Sequence, residues 1–155
     1  METKVNEPSH FLLDKVAESD AVLLEVLERT GPQHLRARLL KIYSADKGLQ
    51  GKLPGDVIDF VHAPSSWGNT ALRPGESGIV FLSPVRGLLY ENSWRGHMVV
   101  KKIDGIAHAI FPHLAVSTDP ASPSSRSIPD PERPHARAIA LDDLENYLLG
   151  LIAGG

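Results

Sequence analysis

Residues 53–84 read LPGDVIDFVHAPSSWGNTALRPGESGIVFLSP, and this stretch decides the fold class. It contains two turn signals of one kind, Pro54-Gly55-Asp56 and Arg73-Pro74-Gly75-Glu76, and each opens onto a hydrophobic run. Proline presets φ for a turn, and glycine supplies a position with positive φ. The stretch therefore predicts a turn, a strand, a long glycine-bearing loop, a second turn and a second strand.

The two predicted strands that precede this stretch indicate how the sheet curves. Residues 20–29, DAVLLEVLER, alternate in the manner of a strand with one fully buried face and one mixed face. The returning strand, 34–44, keeps its alternation as far as Leu39, and its apolar positions then slip by one residue to Leu40. Such a slip is typical of a β-bulge. Small closed barrels need such bends, so the sequence favours a barrel over a flat sheet.

We expect a mainly β chain: an OB-like closed barrel of five or six strands, with a short N-terminal helix and a C-terminal helix. The length of 155 residues is that of one domain, and we predict a single OB-like domain over 1–155. Residues 117–135 are rich in proline and serine and predict a flexible crossover. An apolar stripe over 140–153 predicts a helix that docks on the barrel.

The same residues resemble the TIMP/netrin-module group of OB-fold domains. The resemblance rests on a Pro-Gly-Asp turn into a strand, a Trp67-Gly68 loop, a Pro-Gly-Glu turn before Gly-Ile-Val-Phe-Leu, and the order of elements over 11–152. It implies an OB fold and an inhibitor-like architecture. Metalloproteinase inhibitors of this group chelate the protease zinc with an N-terminal cysteine. This chain opens Met1-Glu2-Thr3 and has no cysteine, so the resemblance does not extend to that mechanism.

Composition excludes several functional classes. Hydrophobic residues make up 42% and charged residues 23%, as in ordinary soluble proteins. The formal charge of -3 argues against nucleic acid and anionic membranes as partners. The absence of cysteine excludes disulfides and thiolate metal sites. The polar opening METKVNEPSH is not an export signal and no run has the apolar length of a membrane span, so we expect a cytoplasmic protein.

Motifs that carry catalysis are missing from the sequence. It has no GxGxxG, no HExxH and no nucleophile elbow, so we predict that the protein is not an enzyme and uses no cofactor. The seven histidines lie on different predicted elements without the local spacing of a metal site, and we predict no metal ligands. Fold closure could still gather three of them, which leaves a His-ligated metal-dependent enzyme as an alternative.

The predicted recognition surface is the loop 64–76 and its surroundings. This loop is longer than a hairpin needs, and tryptophan is enriched at binding hot spots. The predicted binding residues are Trp67, Gly68, Asn69, Trp94, Arg95 and His97. We predict a non-catalytic protein-binding module, inhibitor-like or immunity-like, whose protein partner the sequence does not identify. The alternatives are a single-stranded nucleic-acid binder with Arg36 and Arg38 on one strand face, and tryptophans that only cap the core.

Overall fold

The computed structural model describes residues 8–62, 72–92, 97–111, 127–131 and 137–154. These contain, in chain order, α1 (Pro8–Glu18), β1 (Asp20–Arg29), β2 (His34–Ile42), β3 (Val57–Val61), β4 (Ser77–Val85), β5 (Leu88–Glu91), β6 (His97–Ile103), β7 (Ile106–Phe111), β8 (Ser127–Pro129), β9 (Arg137–Ala140) and α2 (Leu141–Gly154). Neither of these helices is long and apolar enough to cross a membrane.

Contacts divide the chain into two compact units. One, the barrel unit, is Glu18–Val99; the other, the terminal unit, combines Met1–Ala17 with Val100–Gly155. Each is described separately below, and the expectation of one domain over 1–155 stays a prediction.

Five strands of the barrel unit form a closed barrel. β1 pairs antiparallel with β2, β2 with β3, and β4 with β5, while β3 and β5 are parallel neighbours. β1 also pairs antiparallel with β4, which closes the ring in the order β1-β2-β3-β5-β4-β1. The predicted fold class, a mainly β chain with a closed barrel and a short helix near each end of the sequence, is confirmed.

The barrel core follows from the period-two alternation of its strands. Inward-facing side chains from β1 to β4 and two from the connections form one buried cluster: Val22, Leu24, Val26, Leu35, Ala37, Leu39, Leu49, Ile58, Phe60, Leu72, Val80 and Leu82. On β4, residues 78–82 are buried on both parities, as the apolar GIVFL run predicts for a strand covered on both faces.

The predicted bulge lies in β2 at the residue where the apolar pattern slips. Leu24 pairs with Leu39 and Leu23 pairs with Lys41, so Leu40 is an extra residue without a partner in β1. Leu40 is 38% exposed, whereas Leu39 is fully buried. An extra residue bends the strand and increases its twist, which helps the sheet to close.

The two predicted turns have the same internal bonding. In the first, Asp56 N donates to Leu53 O (3.0 Å), and Leu53 N donates to Asp56 Oδ2 (2.9 Å). In the second, Glu76 N donates to Arg73 O (2.9 Å), and Arg73 N donates to Glu76 Oε1 (2.7 Å). Each has a glycine with positive φ at its third position, where a side chain would be strained. The turns therefore fix where β3 and β4 begin.

A buried carboxylate holds the connection between β2 and β3 against the start of β1. Asp20 is fully buried, and its side chain accepts hydrogen bonds from the backbone N–H groups of Lys47 (3.0 Å), Gly48 (2.8 Å) and Leu49 (3.0 Å). Because Leu49 is a core residue, this arrangement also places its side chain in the barrel.

In the terminal unit, β7 pairs with β6 and β9, and β9 pairs with β8. The β6–β7 hairpin turns at Asp104-Gly105, where both residues have positive φ, as predicted for this dipeptide. α2 packs on β7 and β9 and buries Leu144 and Leu148. Its predicted docking on the barrel stays a prediction.

Residues 127–131 of the segment 117–135 are described, and the flexible crossover stays a prediction. Ser127–Pro129 forms β8. Asp130, which follows it, is buried and forms an ion pair with Lys101 (Nζ to Oδ1, 2.9 Å). The hydrogen bonds of β8 to β9 and this ion pair help to offset the entropy lost when these residues are ordered. Composition alone does not reveal either interaction. The remainder of the predicted crossover lies outside the described residues.

We predict that Gly78→Ala lowers the free energy of unfolding by about 1–3 kcal/mol, the usual cost of overpacking. A Cβ at Gly78 would lie 2.9 Å from Leu72 Cδ1 and 2.9 Å from Met98 O, and the carbonyl cannot move without shifting β6. Gly150→Ala is the matched control, because a Cβ there meets open space on α2 and should be neutral or stabilising by up to about 1 kcal/mol. Urea unfolding measures both; equal effects would contradict the packing argument.

Candidate functional site

A cluster of two histidines and one glutamate lies at one end of the barrel. β3 and β5 are parallel, and Val61 is opposite Tyr90, so the next residue on each, His62 and Glu91, come side by side. β6 lies beside β4 in the sheet order, and its first residue, His97, reaches the same place. We call these three residues the His–Glu–His cluster.

Glu91 bridges the two imidazole rings. Its Oε1 lies 2.8 Å from His62 Nδ1, and its Oε2 lies 2.6 Å from His97 Nδ1. The ring centroids are 6.0 Å from one another, with an angle of 61° between the ring planes. All three residues are buried, with exposed fractions of 8% for His62, 3% for Glu91 and 4% for His97. Both carboxylate oxygens are therefore used within the cluster.

The electrostatics of the cluster favour an ionised carboxylate. Burial alone would raise the pKa of Glu91. The hydrogen bonds from His62 and His97, together with the electrostatic attraction of these two residues, outweigh the effect of burial and hold the pKa of Glu91 below its ordinary value. A carboxylate only accepts hydrogen bonds, so both Nδ1 atoms act as donors. In a neutral ring the Nε2 atom then carries the lone pair.

The pKa of a second carboxylate, that of Glu76, is affected by a residue of the cluster, His97. Burial raises the pKa of Glu76, but hydrogen bonds from Arg73 and the charge of His97 lower it, and the net direction is downward. Glu76 is therefore electrostatically coupled to the cluster through His97, while its own carboxylate pairs with Arg73 (3.2 Å).

The cluster has the composition and the spacing of a metal site. Among the described residues, His62, Glu91 and His97 form a group in which one potential ligand atom from each lies within 4.8 Å of the others. Two imidazoles and a carboxylate are a common ligand set for divalent transition metals. The sequence analysis predicted no metal ligands; the fold gathers two of the scattered histidines and adds a glutamate.

Of the predicted binding residues, His97 is the one that the structure describes, and it belongs to the cluster. Trp67, Gly68, Asn69, Trp94 and Arg95 lie outside the described residues. The described end of the predicted recognition loop, 72–76, is the turn before β4, and Leu72 is buried in the barrel core. Leu72 is therefore a core residue, whereas Arg73, Pro74 and Gly75 are exposed.

Sequence reasoning missed His62 and Glu91. Glu91 is 29 residues from His62 and six from His97, and neither spacing matches a local metal motif. One sequence feature could have indicated them: His62 and Glu91 each follow a short apolar run. This feature is informative only when the two runs are known to form neighbouring parallel strands. Two further histidines have other surroundings: His34 is exposed, and His108 Nδ1 lies 2.8 Å from Ile106 O.

Comparison of the chain with protein-family models, curated proteins and solved structures finds no match. What the cluster does is therefore argued from its own geometry and chemistry.

We predict that Glu91→Gln lowers the free energy of unfolding by about 1.5–3 kcal/mol, because two buried imidazole N–H groups lose a charged acceptor. Glu28→Gln is the matched control. Glu28 lies 3.1 Å from Arg36, and both side chains are largely exposed (57% and 43%), so its loss should cost at most about 1 kcal/mol. Chemical denaturation at neutral pH measures both variants, and similar losses would show that the cluster contributes no more than a surface pair.

The stability advantage of the wild type over Glu91→Gln should shrink in acid. The pKa of Glu91 in the folded protein is below its ordinary value of 4.5, so its contribution is fully present above that value. It is lost as the pH falls through the folded pKa, because the carboxylate must then be protonated. Denaturation curves of both proteins between pH 7 and pH 3 give the difference at each pH. A difference that stays constant over this range would contradict the assignment.

Proposed function

We propose that the protein is a non-catalytic protein-binding module of the OB class, with an inhibitor-like or immunity-like role. Its binding end would be the barrel end that carries the His–Glu–His cluster. The observation that carries this proposal is that both tryptophan-bearing segments of the sequence begin or end at residues of that cluster.

The strand order supports the OB class. The ring β1-β2-β3-β5-β4-β1, with β3 parallel to β5, is the order expected of a five-stranded OB barrel. The likeness to the TIMP/netrin-module group rests on the sequence motifs and on this order.

Chain connectivity supports the location. Residues 63–71, which include Trp67, follow His62 directly, and residues 93–96, which include Trp94 and Arg95, lie just before His97. His62 and His97 both contact Glu91. The first segment therefore begins, and the second ends, at neighbouring residues of the barrel. Tryptophan and arginine are enriched at interface hot spots, which tend to cluster.

Charge favours a protein partner over a nucleic acid. The net charge is -3, which gives no general attraction to phosphates. On β2, the guanidinium of Arg36 is already bound by Asp59 (2.8 Å) and Glu28 (3.1 Å). The basic residues that suggested a single-stranded nucleic-acid groove are therefore partly neutralised by neighbouring strands.

We predict that Trp67→Ala weakens binding of the partner by about 2 kcal/mol or more, roughly 30-fold in Kd, with little change in Tm. The partner is first isolated on immobilised wild-type protein and identified, and its Kd for each purified variant is then measured by calorimetry. Leu53→Ala is the matched control: Leu53 is an exposed apolar residue, 65% exposed, before the start of β3 and so at the other end of that strand.

The control variant should bind with unchanged Kd. If Trp67 instead closes the core, Trp67→Ala should cost about 3–5 kcal/mol of stability. A marked loss of stability with unchanged binding per folded molecule would remove the recognition site from this segment.

A further inference from the structure

We propose that His62, Glu91 and His97 bind one divalent transition-metal ion, and that Zn²⁺ is the ion whose chemistry fits them best. The proposal goes beyond protein binding and does not depend on it. The barrel then carries a metal centre formed by residues from the ends of β3 and β5 and the start of β6.

The cluster is a costly way to stabilise a barrel end. Burying an ionised carboxylate carries a desolvation penalty that its partners offset only in part, and apolar side chains of similar volume often serve stability equally well or better. Glu91 is nevertheless 97% buried, with both of its oxygens bonded to imidazoles that are themselves buried. A bound cation would offset the desolvation cost of the carboxylate. Metal binding therefore explains the cluster better than a purely stabilising role does.

The potential ligand atoms of the cluster converge. One from each of His62, Glu91 and His97 lies within 4.8 Å of the others, whereas ligand atoms at 2.0–2.2 Å from a tetrahedral Zn²⁺ lie about 3.3–3.6 Å apart. The two contacts of Glu91, 2.8 Å and 2.6 Å, are shorter than that separation, as expected where protons rather than a metal join the atoms. Binding an ion therefore requires these two contacts to lengthen.

Metal binding changes the protonation of both rings in a defined way. Each Nδ1 atom now carries the proton that it donates to Glu91, so its lone pair is not available to a metal. In a neutral ring that proton moves to Nε2 when Nδ1 binds the ion, and no proton leaves the ring. A ring that starts as imidazolium instead releases one proton to solvent. From either starting state, each ring ends with its single proton on Nε2.

The ligand types select among metals. Imidazole and carboxylate suit Zn²⁺ and the neighbouring first-row ions, and affinity generally rises from Mn²⁺ through Co²⁺ to Cu²⁺ and falls again at Zn²⁺, so affinity alone does not choose the ion. Zn²⁺ has no preference for the tetragonal geometry of Cu²⁺, so three converging ligands suit it. Three protein ligands leave a fourth position, which takes a water molecule or another exogenous group.

The first test uses the full chain, purified, treated with a chelator and dialysed, with Zn²⁺ alone as the probe. We expect about one ion bound per chain by elemental analysis. We also expect Tm to rise by at least about 5 °C at a hundredfold excess of free Zn²⁺ over its Kd. Binding below one-tenth of an ion per chain with an unchanged Tm would overturn the proposal. Since no partner is present, failure here is distinct from failure of the protein-binding proposal.

Variants locate the ion. His62→Ala and His97→Ala should each weaken Zn²⁺ binding at least about 100-fold, a larger effect than typical loss of an outer-shell group. His34→Ala is the matched control, because His34 belongs to the same unit and is exposed; its affinity should change less than about twofold. Equal losses in all three variants, or none in the first two, would overturn the assignment.

A spectroscopic test on the wild type avoids the risk that a variant fails to fold. With ¹⁵N-labelled histidine, Zn²⁺ should move the ring proton from Nδ1 to Nε2 in two of the seven histidines. The resonances are assigned from two variants outside the cluster, His34→Gln and His108→Gln, and from through-space contacts within the cluster. Zn²⁺ binding that leaves every tautomer unchanged, or that alters the rings of His34 or His108, would overturn the proposal.

Discussion

β1 is paired along both of its edges, and this double pairing is the constraint on which the barrel depends. With β2 on one side and β4 on the other, the five strands have no free edge within the ring. β1 is buried on both parities over residues 20–24, and its inward-facing Val22 and Leu24 belong to the barrel core. The bulge at Leu40 adds bend and twist to β2, which favours closure.

Closure also accounts for the His–Glu–His cluster. Once β4 returns to β1, β5 can pair with β4 on one edge and with β3 on the other, and the second pairing is parallel. Parallel strands end at the same level, so the residues that follow Val61 and Tyr90 meet. Glu91 then contacts one histidine from each side. The parallel contact thus brings His62 to Glu91, and β6, which lies beside β4, brings His97.

Local features of the fold could be predicted from the sequence because their causes are local. The turns at Gly55 and Gly75 and the hairpin at Asp104-Gly105 follow from residues that tolerate positive φ. The bulge at Leu40 follows from a slip in hydrophobic period. The cluster could not be predicted in this way, because it depends on which strands become neighbours. β8 was missed for a similar reason: Ser127–Pro129 has little strand propensity, and pairing with β9 decides its conformation.

The bonds of Asp20 have a consequence for local opening of the chain. Residues 47–49 belong to an irregular connection, whose amides would ordinarily exchange with solvent deuterium within the fluctuations of a loop. Their N–H groups instead point at a fully buried carboxylate in β1. One of these N–H groups is exposed only when its hydrogen bond to Asp20 breaks. Opening at Leu49 would also withdraw the Leu49 side chain from the barrel core. Exchange at these three amides should therefore be as slow as in the strands, so this loop opens only when the barrel itself does.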